Sequence, residues 1–257
     1  MPHVSPKAVV AKTAQLADDV IVGPFSYVGP DVRVGPGCVI HNNVTLVGKT
    51  SLGPGCVVFP MAVIGAPSPG QDDPGGECIL GEANVVREHV TIYAGAESPT
   101  RIGNHNLIMI ASEIDAGAVV GDQGIFDNCS KIGAGAIIGD YVRTSGFAIV
   151  GDRVRLGAYA FVAPFGGVLR DAPPFAMFQG FPVRVRGVNT RNLKACGFGD
   201  NDIQALRRAF RELFTGPESR PDPEVLSRLD ATKDLNPHVR KLVEAVQAAG
   251  AEGRDDG

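Results

Sequence analysis

The chain of 257 residues contains no tryptophan, and aromatic residues make up only 6% of it. Its core must therefore be aliphatic. Cysteine is sparse: Cys38, Cys56, Cys78, Cys129 and Cys196 are scattered, with no CxxC pair and no zinc spacing. This excludes a disulfide scaffold and a zinc module. No run of 18 apolar residues occurs, which excludes a transmembrane helix. The opening residues MPHVSPKAVV carry no basic flank running into an apolar core, so no secretory leader is expected, and with reduced thiols the reading is a cytoplasmic protein. Excess positive charge is absent too. With 24 basic and 28 acidic residues the net charge is −4, which argues against binding DNA or RNA.

What the sequence does have is turn-forming residues and a period. It holds 33 glycines and 19 prolines without a collagen repeat, and 44% hydrophobic residues, too many for disorder. Stepping by six from Val4 reaches Val10, Leu16, Val22, Val28, Val34, Ile40, Leu46, Leu52, Val58 and Ile64. A second register runs Leu80, Val86, Ile92, and a third runs from Ile102 to Val168. Of these 26 positions only Thr144 is not apolar. Four residues after each, the side chain is usually small, as at Ser26, Cys38, Cys56, Ala62, Ser112, Ala118, Ala136, Ala148 and Ala160. Glycine commonly follows the aliphatic residue (VGPFSY, LGPGCV, IGAGAI), where it is expected to relieve a turn.

A period of six is no helix face and is too long for simple strand alternation. It suits short strands joined by sharp corners, three to a triangular coil of 18 residues, with coils stacked at a spacing of about 4.7 Å. The expected fold is an all-β solenoid, a parallel β-helix over residues 1–170 with nearly nine coils. Cys38 and Cys56 lie 18 apart and are expected to stack as core thiols. Two insertions interrupt the repeat: the Pro/Gly/Asp-rich segment 65–79, and four extra residues between Ile92 and Ile102. Loops extruded from a solenoid commonly line its binding face.

Beyond Asp171 the period ends. Residues 171–199 read as an extended connector, because Pro173, Pro174 and Pro182 forbid a helix. Residues 200–250 read as a small helical domain. Asp200 or Asp202 caps a first helix with Ile203, Leu206, Phe210, Leu213 and Phe214 on one face, and two more start near Pro223 and Pro237. Residues 169–211 hold eight basic side chains against three acidic ones. Such a patch suits an acidic partner such as acyl carrier protein, and a solvated helix face fits the same pattern.

Several strings now carry a resemblance: VGPDVRVGPGCVI, GQDD at 70–73, VREHVTIYAG, IGNHNLIMI, DAPPFAMFQG and GVNTRNLKACGF before the helices. Together they resemble the UDP-N-acetylglucosamine O-acyltransferases, hexapeptide-repeat enzymes that start lipid A synthesis. The resemblance implies a left-handed coil and a homotrimer with clefts between neighbouring solenoids. It also implies transfer of a 3-hydroxyacyl chain from acyl carrier protein to a nucleotide sugar, with no cofactor beyond that thioester and no metal. By the same resemblance, substrate contacts fall on Gln71, Asp72, Tyr159, Gln179, Asn189 and Arg191. Carrier-protein contacts are expected at Arg184, Arg186, Lys194, Arg207 and Arg208.

The chemistry needs a base for the acceptor hydroxyl and donors for the oxyanion. In the family the base is a histidine followed by aspartate, and here those places hold Ala116 and Gly117. Other cleft histidines of the family fall on Tyr93, Glu113, Gly151 and Tyr159. If the insertion before Ile102 bulges outward, Tyr93 and Asp115 share one column on adjacent coils. No histidine of this chain reaches that column; His105 shares the column of Tyr159. Asp115 or Glu113, with Tyr93 as donor, is therefore the expected replacement. Two readings stand at this point: an acyltransferase with an altered site and a different acceptor, or a homologue without turnover that binds or scaffolds.

Overall fold

A computed structural model describes residues 1–70, 75–216 and 220–251. Among them, 26 short strands run from His3–Val4 to Gly167–Val168, and each contains one of the 26 aliphatic (or Thr144) positions of the repeat, as its last residue in all but Val63–Ala66 and Thr91–Tyr93. Parallel pairing between coils assembles them into three flat faces. The first face includes Val22, Ile40, Val58 and Val86, the second Ile92, Ile114, Ile132 and Val150, and the third Ile102, Val120 and Ile138. The fold is the expected parallel β-solenoid. Among the described residues no helix is long and apolar enough to cross a membrane.

The interior is mainly aliphatic. Ile40, Leu46, Ile64, Ile92, Ile108 and Ile114 are fully buried, as are the small residues Cys38, Cys56, Ala62, Ala118, Ala136 and Ala148. Phe126 is the one aromatic ring in the inward repeat, and Gly124 makes room for it. A Cβ on Gly124 would lie 2.7 Å from the Phe126 ring. Thr144 is satisfied by Ser130, whose hydroxyl lies 2.7 Å away, and by the amide of Asp127 at 3.1 Å. Asn84 and Asn106 also point inward, each giving its amide to carbonyls of the corners around it. Polar groups inside the coil are thus paired, as burial requires.

The corners correct one expectation. Except for Gly65 (φ 87°), the glycines directly after the aliphatic residue do not carry the left-handed backbone. Gly23, Gly53 and Gly103 have ordinary φ; what demands glycine is the next coil. A Cβ on Gly23 would stand 2.7 Å from the carbonyl carbon of His41, and one on Gly53 would stand 2.6 Å from that of Gly81. The left-handed residue comes two positions later, and it is commonly not glycine: Phe25, His89, Tyr141, Phe147 and Tyr159 have φ between 57° and 62°.

The segment 171–199 is more ordered than an extended connector. Ala176–Gln179 stacks in parallel on the strand Phe161–Val162 and then pairs antiparallel with Arg184–Val188. Helix α1 (Thr190–Ala195) follows, then α2 (Asp200–Leu213), α3 (Pro223–Asp230) and α4 (Pro237–Ala251). The N-cap of α2 is Gly199 without a side-chain bond, and Asp200 and Asp202 sit in the first turn, where they complement the helix dipole. Asp222 caps α3 through the amides of Glu224 and Val225. An aromatic cluster docks the helices on the solenoid: Tyr159 stacks on Tyr141 at 4.9 Å and on Phe175 at 5.7 Å, and meets Phe198 edge-on at 5.0 Å.

Candidate active site

Both insertions arrive at one corner, the one that follows the second face. Glu77, at the end of the longer loop, exchanges backbone hydrogen bonds with Gly95 of the shorter one, at 3.0 and 3.2 Å. Thr100 closes the bulge by donating to the carbonyl of Tyr93 (2.7 Å) and accepting from the amide of Gly117 (2.9 Å). A Cβ on Gly95 would collide with Ser98 and with Gly117, so the loop lies tight against the corner. The insertions therefore frame Tyr93 and the segment Asp115–Gly117. Gln71 and Asp72 lie outside the described residues.

Register then brings the candidate residues together. Ile92 pairs with Ile114, which places Tyr93 and Asp115 at equivalent points of adjacent coils. Thr91, Glu113, Lys131 and Ile149 form the outward ladder of the same face. Lys131 is the residue that sequence reasoning missed. Its Nζ lies 2.5 Å from Oε1 of Glu113 and 3.1 Å from Oδ2 of Asp115. A signal existed: Lys131 stands 18 residues after Glu113, one coil along the same column.

The two carboxylates have different surroundings. The Asp115 side chain is 17% exposed, that of Glu113 37%. Burial pushes the Asp115 carboxyl above its ordinary value, Lys131 partly offsets this, and the neighbouring Glu113 adds to it. Glu113 moves the other way, held down mainly by the hydrogen bond from Lys131. The Tyr93 phenol is raised by burial and by both carboxylates. A carboxyl with its titration displaced upward, beside a phenol and an ammonium, is equipped to exchange a proton with a hydroxyl.

The other candidates lie elsewhere on the chain. Tyr159 belongs to the corner after the third face, in the aromatic cluster. His105 lies in the same column and meets Glu82 at 3.4 Å. Asn189 is buried, and its amide is engaged within the chain: its oxygen caps α1 at the amide of Asn192, and its nitrogen donates to the carbonyl of Tyr159 at 2.9 Å. That geometry gives Asn189 a latching role. Gln179 and Arg191 are exposed, at the end of the hairpin strand and on α1.

The basic residues part into two groups. Arg186 and Arg207 line a groove of about 530 Å3 between the outer hairpin strand and α2, together with Arg211 and an apolar floor of Met177, Phe210 and Phe214. Among the described residues no acidic side chain pairs with these three arginines. Arg184 and Arg208 are exposed beside the groove rather than lining it, and Lys194 is paired with Asp200 at 3.4 Å.

Comparison with known proteins places this geometry. The family described as UDP-N-acetylglucosamine O-acyltransferase, domain 2, matches residues 171–254, and the bacterial transferase hexapeptide family matches residues 13–48. An acyl-[acyl-carrier-protein]–UDP-N-acetylglucosamine O-acyltransferase of Saccharophagus degradans is 40% identical, over 83% of this chain and 85% of its own length. The protein of the same name from Azorhizobium caulinodans is 39% identical, over 96% and 92%. Among solved structures, LpxA from Acinetobacter baumannii superposes with a TM-score of 0.88 at 25% identity, covering 96% of this chain and 97% of that one. Fold, helical domain and sequence agree, and the chain belongs to the UDP-N-acetylglucosamine O-acyltransferase family.

Proposed function

We propose that this protein transfers an acyl group from an acyl carrier protein to a hydroxyl of a nucleotide sugar, acting as a cytoplasmic homotrimer with Asp115 as general base. The relatives' names support the reaction type. The single observation that carries the base is the environment of Asp115: a largely buried carboxyl whose titration is displaced upward, one residue before Ala116, at the corner framed by both insertions. In the reaction, Asp115 takes the acceptor hydroxyl proton as that oxygen bonds to the thioester carbonyl carbon. Collapse breaks the carbon–sulfur bond, and the proton passes to the departing thiolate. Tyr93 and Lys131 supply hydrogen-bond donors at the same corner. The groove with Arg186, Arg207 and Arg211 suits an acidic carrier that also presents an apolar contact.

The test is a transfer assay with a panel of acyl carrier protein thioesters and UDP-sugars, run beside Asp115→Ala. Turnover that falls by about 10²–10⁴-fold in the variant is the expected outcome. Turnover that survives in the variant removes Asp115 as base. Carrier binding without turnover for any pair makes the chain a binding homologue.

A further inference from the structure

Lys131 has no role in the resemblance, yet it is the centre of the polar cluster. Both of its carboxylate partners belong to the coil before it: Glu113, directly opposite it in the ladder, and Asp115, just around the corner. The strand register leaves little choice of geometry. Glu113 and Lys131 are opposed on neighbouring parallel strands about 4.8 Å apart, and the ammonium must cross that gap to reach either acid. Beyond Lys131 the ladder continues with Ile149, and at the register of Asp115 the next corners carry Gly133 and Gly151. The groups facing Asp115 are therefore Glu113 and Tyr93 from the second face and Lys131 from the coil beyond, while the loop between Tyr93 and Thr100 contributes Gly95 and Ser98 against Gly117. Glu113 and Lys131 are the charged groups that act on it.

Resting on the proposed role of Asp115, we infer that Lys131 is a positioning residue: clamped by Glu113, its ammonium holds Oδ2 of Asp115 and so sets where that carboxyl points and when it gives up its proton. Glu113 fixes the cation, and the cation fixes the base. A cation and an anion flanking one carboxyl pull its titration in opposite directions. Without the ammonium, two carboxyls remain side by side, and Asp115 keeps its proton to higher pH. Without the charge of Glu113, the cation acts on Asp115 alone, and its proton leaves at lower pH. A purely structural ion pair would shift the titration of Asp115 in the same two directions and would leave the acid limb of the transfer profile where it is.

Two readouts on the full-length protein test this. The first follows carboxyl carbon-13 resonances through a pH titration, with Asp115 assigned by its loss in Asp115→Asn, and needs no turnover. Lys131→Met is expected to raise the Asp115 midpoint by about one unit or more, Glu113→Gln to lower it, and Lys131→Arg to restore most of the wild-type value. The second is the acid limb of the pH–rate profile for transfer, expected to move in the same two directions. Thermal unfolding of each variant at pH 7 confirms that it is folded before titration. An Asp115 midpoint unmoved by both Lys131→Met and Glu113→Gln overturns the inference. If wild-type protein transfers nothing to any acceptor, the proposed function falls, while the carbon-13 titration still decides whether Lys131 governs Asp115.

Discussion

Two corners of this solenoid are built from the same hexad yet do opposite work. At the corner after the third face, Tyr141, Tyr159 and Phe175 repeat in one column, stack ring on ring, and receive the helices through Phe198 and two asparagines. The two asparagines there have partners inside the chain: Asn192 donates to the carbonyl of Tyr141 and Asn189 to that of Tyr159, each at 2.9 Å. At the corner after the second face, Tyr93 and Asp115 repeat in one column too, but no ring stacks on Tyr93 among the described residues. A carboxyl is instead left largely buried with its titration displaced upward. The first corner is arranged for stability. The second holds a carboxyl against the cost of burying it, a pattern expected of functional sites.

The largest effect that separates the two corners is expected at Tyr159. Tyr159→Ala removes two stacked contacts and one edge-on contact, and is expected to cost about 3 kcal/mol of unfolding free energy, read by denaturant melting. The titration of Asp115 should not move, because the two residues occupy different corners. Movement of Asp115 in that variant would show the corners to be coupled and would break the comparison.

The repeat itself was almost wholly legible in the sequence, because an inward aliphatic residue every six positions is a packing requirement with no alternative at those sites. All 26 inward positions lie in strands in the structure. The reason for the glycines was not legible. Sequence alone cannot separate a residue that needs positive φ from one that faces a close backbone, and the structure assigns these two needs to different positions of the hexad. The distinction makes an expected outcome of intermediate size. Gly53→Ala, whose Cβ would meet the Gly81 backbone, should cost about 1–3 kcal/mol. Ala83→Gly, at φ 52°, should be nearly neutral, since relief of left-handed strain offsets the extra chain entropy of glycine. Equal melting shifts for the two variants would refute this assignment.

The site was legible only as far as columns reach. Counting by 18 put Tyr93 beside Asp115, and register agrees, because the bulge before Thr100 loops out without disturbing the stack. Lys131 escaped because a lone lysine on an outward ladder reads as solubility until its two partners are placed. Arg211 was counted within the basic patch but not singled out as part of the groove. Asn189 shows the opposite difficulty: a buried amide that caps a helix and one that binds a ligand look the same in sequence, and its bonds within the chain appear only in the structure.

The smallest effect, and the sharpest test of the comparison, is one of sign. With its Lys131 contact included, the folded-state value of Asp115 lies above the ordinary carboxylate value of about 3.9. Its contribution to stability is therefore fully present below that value and is lost as pH rises through the folded one. Glu113, held down by Lys131, has the opposite slope: its contribution is present at neutral pH and is lost as pH falls through its lowered value. Asp115→Asn removes the first slope and keeps the second. At pH 8 the variant is expected to melt slightly above the wild type, since it no longer holds an ionised carboxylate in a largely buried place. The advantage should shrink as pH falls and vanish near pH 3, where wild-type Asp115 is protonated in both folded and unfolded chains. Thermal melts of the two proteins between pH 3 and pH 8 give the comparison directly. A variant less stable than wild type at pH 8 would mean that the Lys131 contact outweighs burial, and would place this corner beside the aromatic one as a structural joint.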